Sequence, residues 1–81
     1  MTNLEKYINA FTETFLVESS TLETLKYQDI EAWDSLGHMS LMTSLEELFN
    51  IEMDIDDIIE FSSFKVGVDI LAKYNIKIDL S

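Results

Sequence analysis

The sequence predicts one small domain built on at least two amphipathic helices. Three observations carry that expectation. Length is the first: 81 residues suit a single domain, and a chain of that size buries only a little over ~60% of its unfolded surface. Apolar residues make up 47% of the chain, which places it among folding sequences despite its charge. Apolar side chains also recur at helical spacing in two separate segments. Two glycines and no proline leave nothing that looks like a linker, and there is no internal repeat. The absence of cysteine excludes disulfides and thiolate metal sites.

The first helix is read from Leu4, Tyr7, Ile8, Phe11 and Phe15, with Thr2 or Asn3 as its cap. Glu18 to Asp29 then reads as a long polar connection with room for one helical turn, pinned to the core by Leu22, Leu25 and Tyr27. Ile30 and Trp33 serve the same purpose just before the second helix, which opens at Asp34 or Ser35. At 3.6 residues per turn, Leu41, Leu45, Leu48 and Phe49 share one face, with Met42 at its edge. Leu36 and Met39 fall off that stripe, with Ser40, Thr43 and Glu47, while Glu46 flanks Met39. Beyond residue 50 the pattern stays open. Ile51, Met53 and Ile55 alternate, as do Phe64, Val66, Val68 and Ile70, which is strand spacing. Yet Phe64, Val68 and Leu71 also fit a helix, Ser62 or Ser63 could cap it, and Asn75 would suit its end.

Charge is concentrated as well as large. The net charge is −11, and between Tyr27 and Phe64 stand ten acids (Asp29, Glu31, Asp34, Glu46, Glu47, Glu52, Asp54, Asp56, Asp57, Glu60) with no Lys or Arg. Such a field repels nucleic acid and anionic lipid and attracts basic protein surfaces. A solvated, solubility-giving surface is the plain alternative. Because these acids flank Ser35, a docking role is favoured. The opening Met-Thr-Asn-Leu-Glu lacks the features of a signal peptide, and no apolar run is long enough to span a membrane. The expectation is a soluble, cytoplasmic monomer with no membrane and no nucleic-acid partner.

Ser35 is the residue that invites a chemical role. Asp34, Ser35 and His38 are the residue types of a hydrolytic triad, but neighbours on one helical turn cannot easily place the base between serine and acid, and no G-x-S-x-G elbow is present. Catalysis is therefore not expected. The cluster Asp54, Asp56, Asp57 and Glu60 fails as a calcium loop, since Ile59 and Lys65 stand where glycine and glutamate are needed. The lone His38 has no partner at ligand spacing and is expected to pack at the edge of the core face. A helix cap worth ~1 kcal/mol is the serious alternative for Ser35. Asp34 can supply it, leaving the Ser35 hydroxyl outward at the first helical position. A phosphate attached there gains from the helix dipole and from free backbone N–H groups.

Asp34-Ser35-Leu36 resembles the modification motif of acyl carrier proteins, whose serine carries 4′-phosphopantetheine. The likeness extends over "WDSLGHMSLMTSLEELFNIEMDIDDIIEFSSF": the motif, a second helix ending Leu-Glu-Glu-x-Phe, an acidic short helix, and a serine start to the last helix. The resemblance implies an all-α four-helix bundle with a short third helix near Asp56 to Glu60, and covalent 4′-phosphopantetheine on Ser35, flanked by Asp34 and Leu36. It implies a phosphopantetheinyl transferase as one partner, and acyl-loading and acyl-transferring enzymes with basic docking patches as others. Leu36, Met39, Glu46 and Glu47 match the positions that dock them. Gly37 and Ser40 stand where fatty-acid carriers often have acids, and Trp33 with Asp-Ser-Leu-Gly-His looks more like stand-alone carriers of specialised pathways. Acyl and aminoacyl (peptidyl) cargo both stay open, as does a small acidic adaptor that binds a partner without covalent chemistry.

Overall fold

Helix α1, Asn3–Phe15, begins at a reciprocal cap in the computed structural model, which describes residues 2–80. The Thr2 hydroxyl accepts from the Glu5 N–H at 3.1 Å, and the Glu5 carboxylate accepts from the Thr2 N–H at 3.0 Å. The Thr2 N–H, donating to the Glu5 carboxylate, holds that carboxyl below its ordinary value. The face expected from the spacing is the one that packs: Tyr7, Phe11 and Phe15 are buried, with Ala10 between them, and Leu4 and Ile8 lie half-buried against the core. α1 ends on Leu16, in the left-handed region at φ 55°.

The long connection holds a 3-10 helix, Ser19–Thr24, whose Leu22 is buried. Leu25 follows it inward, and Tyr27 is half-buried against the core. A single antiparallel bridge then joins Lys26 to Ser63. Through it the Tyr27 N–H donates to the Ser62 carbonyl and the Phe64 N–H to the Leu25 carbonyl. The connection is thereby fixed to the junction before the last helix.

Helix α2, Ser35–Phe49, starts at Asp34, whose carboxylate accepts from the Gly37 N–H at 2.9 Å. It packs on α1 and buries Leu41, Met42 and Leu45. Two expectations are corrected here. Met42 belongs to the centre of the core at 1% exposure, whereas Leu48 is 40% exposed. The buried face is rotated toward Met42, and 3.6 residues per turn then carry Leu48 to its margin. Gly37 also has a packing reason for being glycine. A Cβ there would stand 1.8 Å from the Ala32 carbonyl oxygen and 3.2 Å from the Phe15 ring.

The open second half resolves as helical. Residues 51–54 are irregular, with Met53 turned inward, and α3 (Ile55–Glu60) follows as a short helix. Ile55 is 73% exposed, so the Ile51–Met53–Ile55 alternation marks no strand. Helix α4, Phe64–Ala72, is capped by the Ser63 hydroxyl, which accepts from the Val66 N–H at 3.0 Å. Its buried Gly67 lies where a Cβ would be 2.1 Å from the Tyr7 hydroxyl and 2.2 Å from the Phe61 ring. The Tyr7 hydroxyl in turn donates to the Phe64 carbonyl at 2.6 Å, tying α1 to α4, and its burial pushes the phenol well up. Asn75 takes the left-handed region at φ 64°, and the tail returns over the core through Ile76 and Ile78.

The described residues thus form an all-α fold of four α-helices and one 3-10 helix, without a β-strand. None of these helices is long and apolar enough to cross a membrane. Aromatic rings form a connected cluster in the interior, with Phe11 edge-on to Tyr7 and to Trp33 at 5.1 and 5.5 Å between centroids.

Candidate functional site

Ser35 stands exposed at the first residue of α2. Since Asp34 caps the helix, the Ser35 hydroxyl is left over. Its Oγ lies 3.5 Å from the Tyr27 hydroxyl, at the limit of hydrogen-bond reach. Beside it opens a groove of about 350 Å³. One wall is Ser35, His38 and Met39 of α2, and the other is Ile58 and Ile59 of α3, with Phe61, Ser62 and Tyr27 closing it.

Behind that groove is an arrangement that sequence reasoning missed. Trp33 is wholly buried, and its indole N–H donates to His38 Nδ1 at 2.9 Å. Since Nδ1 accepts, the proton resides on Nε2, which donates to the Ile58 carbonyl at 2.7 Å. A buried tryptophan needs a partner for its N–H, and this one finds it five residues on. The only available signal was a Trp–His pair spanning a helix start. His38 is therefore more than a packing residue at the edge of the core: it couples the segment before α2 to α3. Neither ring nitrogen is turned to Ser35, and the Asp34 carboxylate serves the Gly37 N–H.

The surface around the groove agrees in part with expectation. Leu36 is 81% exposed and Met39 50%. Two further apolar side chains join them, Ile55 and Ile59 of α3, each 73% exposed. Periodicity had placed Ile55 in an alternating run and gave no reason to single out Ile59. Glu47 is exposed, as expected. Glu46 is a correction: it is half-buried, and its carboxylate accepts from the Met53 N–H at 2.8 Å, fastening the turn after α2. A backbone donor seven residues away fixes that side chain.

Asp57 corrects the charge reading. It is buried at 3% exposure and forms an ion pair with Lys73, while the Tyr74 hydroxyl also donates to it. These two partners hold its carboxyl below the usual range, Lys73 contributing most. Tyr74 completes the link by accepting from the Asp54 N–H at 2.9 Å. One of the ten central acids is thus neutralised by a base from outside their stretch, and α3 is stapled to the end of α4. Among the described residues, no group of three or more Asp, Glu or His is placed to hold a metal ion.

Comparison with known protein families, curated proteins and solved structures gives no match to this chain.

Proposed function

We propose that this chain is an acyl carrier, with 4′-phosphopantetheine attached to Ser35 and an acyl group held as a thioester on its terminal thiol. The observation that carries the reading is the position of Ser35: exposed, at the first residue of α2, released from capping by Asp34, and at the mouth of an apolar groove. A phosphodiester at a helix start is favoured by the dipole and the free N–H groups. The four α-helices then act as a four-helix bundle of acyl-carrier type, with α3 as its short third member.

In this reading the chain catalyses nothing. A phosphopantetheinyl transferase moves the arm from coenzyme A to Ser35: Oγ gives up its proton to the transferase and bonds the phosphorus as the pyrophosphate bond breaks, releasing adenosine 3′,5′-bisphosphate. The tethered thioester then meets successive enzymes at high effective concentration. Leu36, Met39, Ile55 and Ile59, with Glu47 and the other exposed acids nearby, form the face for basic, apolar-centred partners, and such docking is fast and salt-sensitive. Aminoacyl cargo fits the same attachment chemistry. The exposed apolar side chains among acids equally suit a non-covalent adaptor, which gives the free serine no task.

Intact mass after incubation with coenzyme A and a phosphopantetheinyl transferase decides between them. The expected result is one added phosphopantetheine, absent in Ser35→Ala. An unchanged mass, or an addition that persists in Ser35→Ala, would overturn the carrier reading.

A further inference from the structure

We propose that the ring stack behind the groove is a floor that limits how much of an acyl chain this carrier can shelter. The inference rests on the carrier reading and deepens it. Inward from the groove, the His38 ring lies nearly parallel to Trp33 at 6.2 Å and 15°, and Trp33 stacks on Phe15 at 5.2 Å and 25°. Phe61, 1% exposed, meets the His38 ring at 6.2 Å and closes the side. An acyl chain that enters the groove beside Ser35 and reaches toward the interior therefore runs into three rings in succession.

The floor is held at both edges. Trp33 donates to His38 Nδ1 and His38 Nε2 donates to the Ile58 carbonyl, so swinging the imidazole aside would orphan a buried indole N–H and free α3 at once. The open volume in front of it, about 350 Å³, lies at the small end for ligand sites. An acyl chain can lie along it between Met39 and Ile59, stopped at its inner end by the rings. A long alkyl chain gains no interior site and stays on the surface or with the partner enzyme.

The test loads the full chain with acetyl-, hexanoyl- and tetradecanoyl-phosphopantetheine, using the corresponding acyl-coenzyme A thioesters and a phosphopantetheinyl transferase. Intact mass verifies each product, and the rate of thioester cleavage by hydroxylamine is then measured. A thioester drawn into the interior is cleaved in proportion to the fraction of time it is exposed. The expected result is that the hexanoyl thioester is cleaved more slowly than the acetyl one, while hexanoyl and tetradecanoyl thioesters are cleaved within about twofold of one another, because extra carbons find no further site. His38→Ala, which removes the latch and the first ring, should let the tetradecanoyl thioester become roughly tenfold slower than the hexanoyl one. Ser40→Ala, exposed on α2 and outside the groove, should leave the two alike. If His38→Ala loses its folded circular dichroism spectrum, Phe61→Leu opens the same side and replaces it.

A tetradecanoyl thioester already about tenfold protected in the unaltered chain would overturn the floor and leave the carrier reading intact. So would equal rates in the opened variant. Failure to load any thioester would overturn both.

Discussion

Replacing Gly37 by alanine separates two effects that act in opposite directions. Helix propensity alone favours alanine by ~1 kcal/mol at an interior position. The structure predicts the reverse. The added methyl would stand 1.8 Å from the Ala32 carbonyl oxygen, and relief to 3.0 Å demands a retreat of about 1.2 Å. The segment that must move is held by the Trp33 N–H on the Ile30 carbonyl and the Gln28 N–H on the Trp33 carbonyl. Overpacking of this kind costs about 1–3 kcal/mol. Displacing residues 32–34 also loosens the Asp34 cap, for a further ~1 kcal/mol. Against the propensity gain, the net is a loss of about 1–3 kcal/mol, and Tm falls by roughly 4–8 °C for each kcal/mol in a domain of this size. Thermal melts followed by circular dichroism measure it, with Ser40→Ala on the exposed face of α2 as the control, expected within about 0.5 kcal/mol of the parent. The rate of phosphopantetheine attachment should fall in Gly37→Ala alone, because Ser35 follows directly on the displaced cap. A Gly37→Ala variant melting at or above the parent would refute the argument that this glycine exists for close approach.

Asp57 gives a pH dependence with a defined sign. Its native carboxyl is held below the ordinary value by Lys73 and Tyr74, so its contribution to stability is complete above the unfolded value and is lost as pH falls through the native one. Urea midpoints of Asp57→Asn should lie below the parent at neutral pH and approach it in strong acid; a gap constant with pH would contradict the linkage. Glu46 and Glu47, adjacent in sequence, should behave differently. On the carrier reading, Glu47→Lys should slow association with a basic acyl-loading partner, most at low salt, with little change in the melt. Glu46→Lys should in addition cost about 1.5–3 kcal/mol of stability, since the charge-assisted bond to the Met53 N–H is lost.

Legibility in the sequence followed the range of the interactions involved. Helix α1 and the start of α2 are readable because their determinants are local: apolar residues at i, i+3 and i+4, Thr2 or Asn3 as the cap of α1, and Asp34 at the head of α2. Ser35 could be singled out for the same reason. The segment from Ile51 to Leu71 was not decidable from spacing, since alternation and helical period coincide there. What selects α3 is Asp57 meeting Lys73 and Tyr74, sixteen and seventeen residues on. The His38 bond to a carbonyl twenty residues distant is likewise invisible to pattern, because a backbone oxygen has no sequence signature. Helical phase places Glu46 near Met39, while its carboxylate reaches forward to the Met53 N–H in the chain after the helix, a contact that spacing does not encode.

The burial of Trp33 has a practical consequence. It is the chain's one tryptophan, so near-ultraviolet emission comes from a single, solvent-free indole whose N–H rests on an imidazole. Tyr27, whose ring stands 6.2 Å away, feeds excitation to it and sits beside the Ser35 hydroxyl. An untagged sample therefore contains its own optical gauge: whatever shifts His38, from below through α3 or from outside through a group on Ser35, changes the colour and intensity of one emission band.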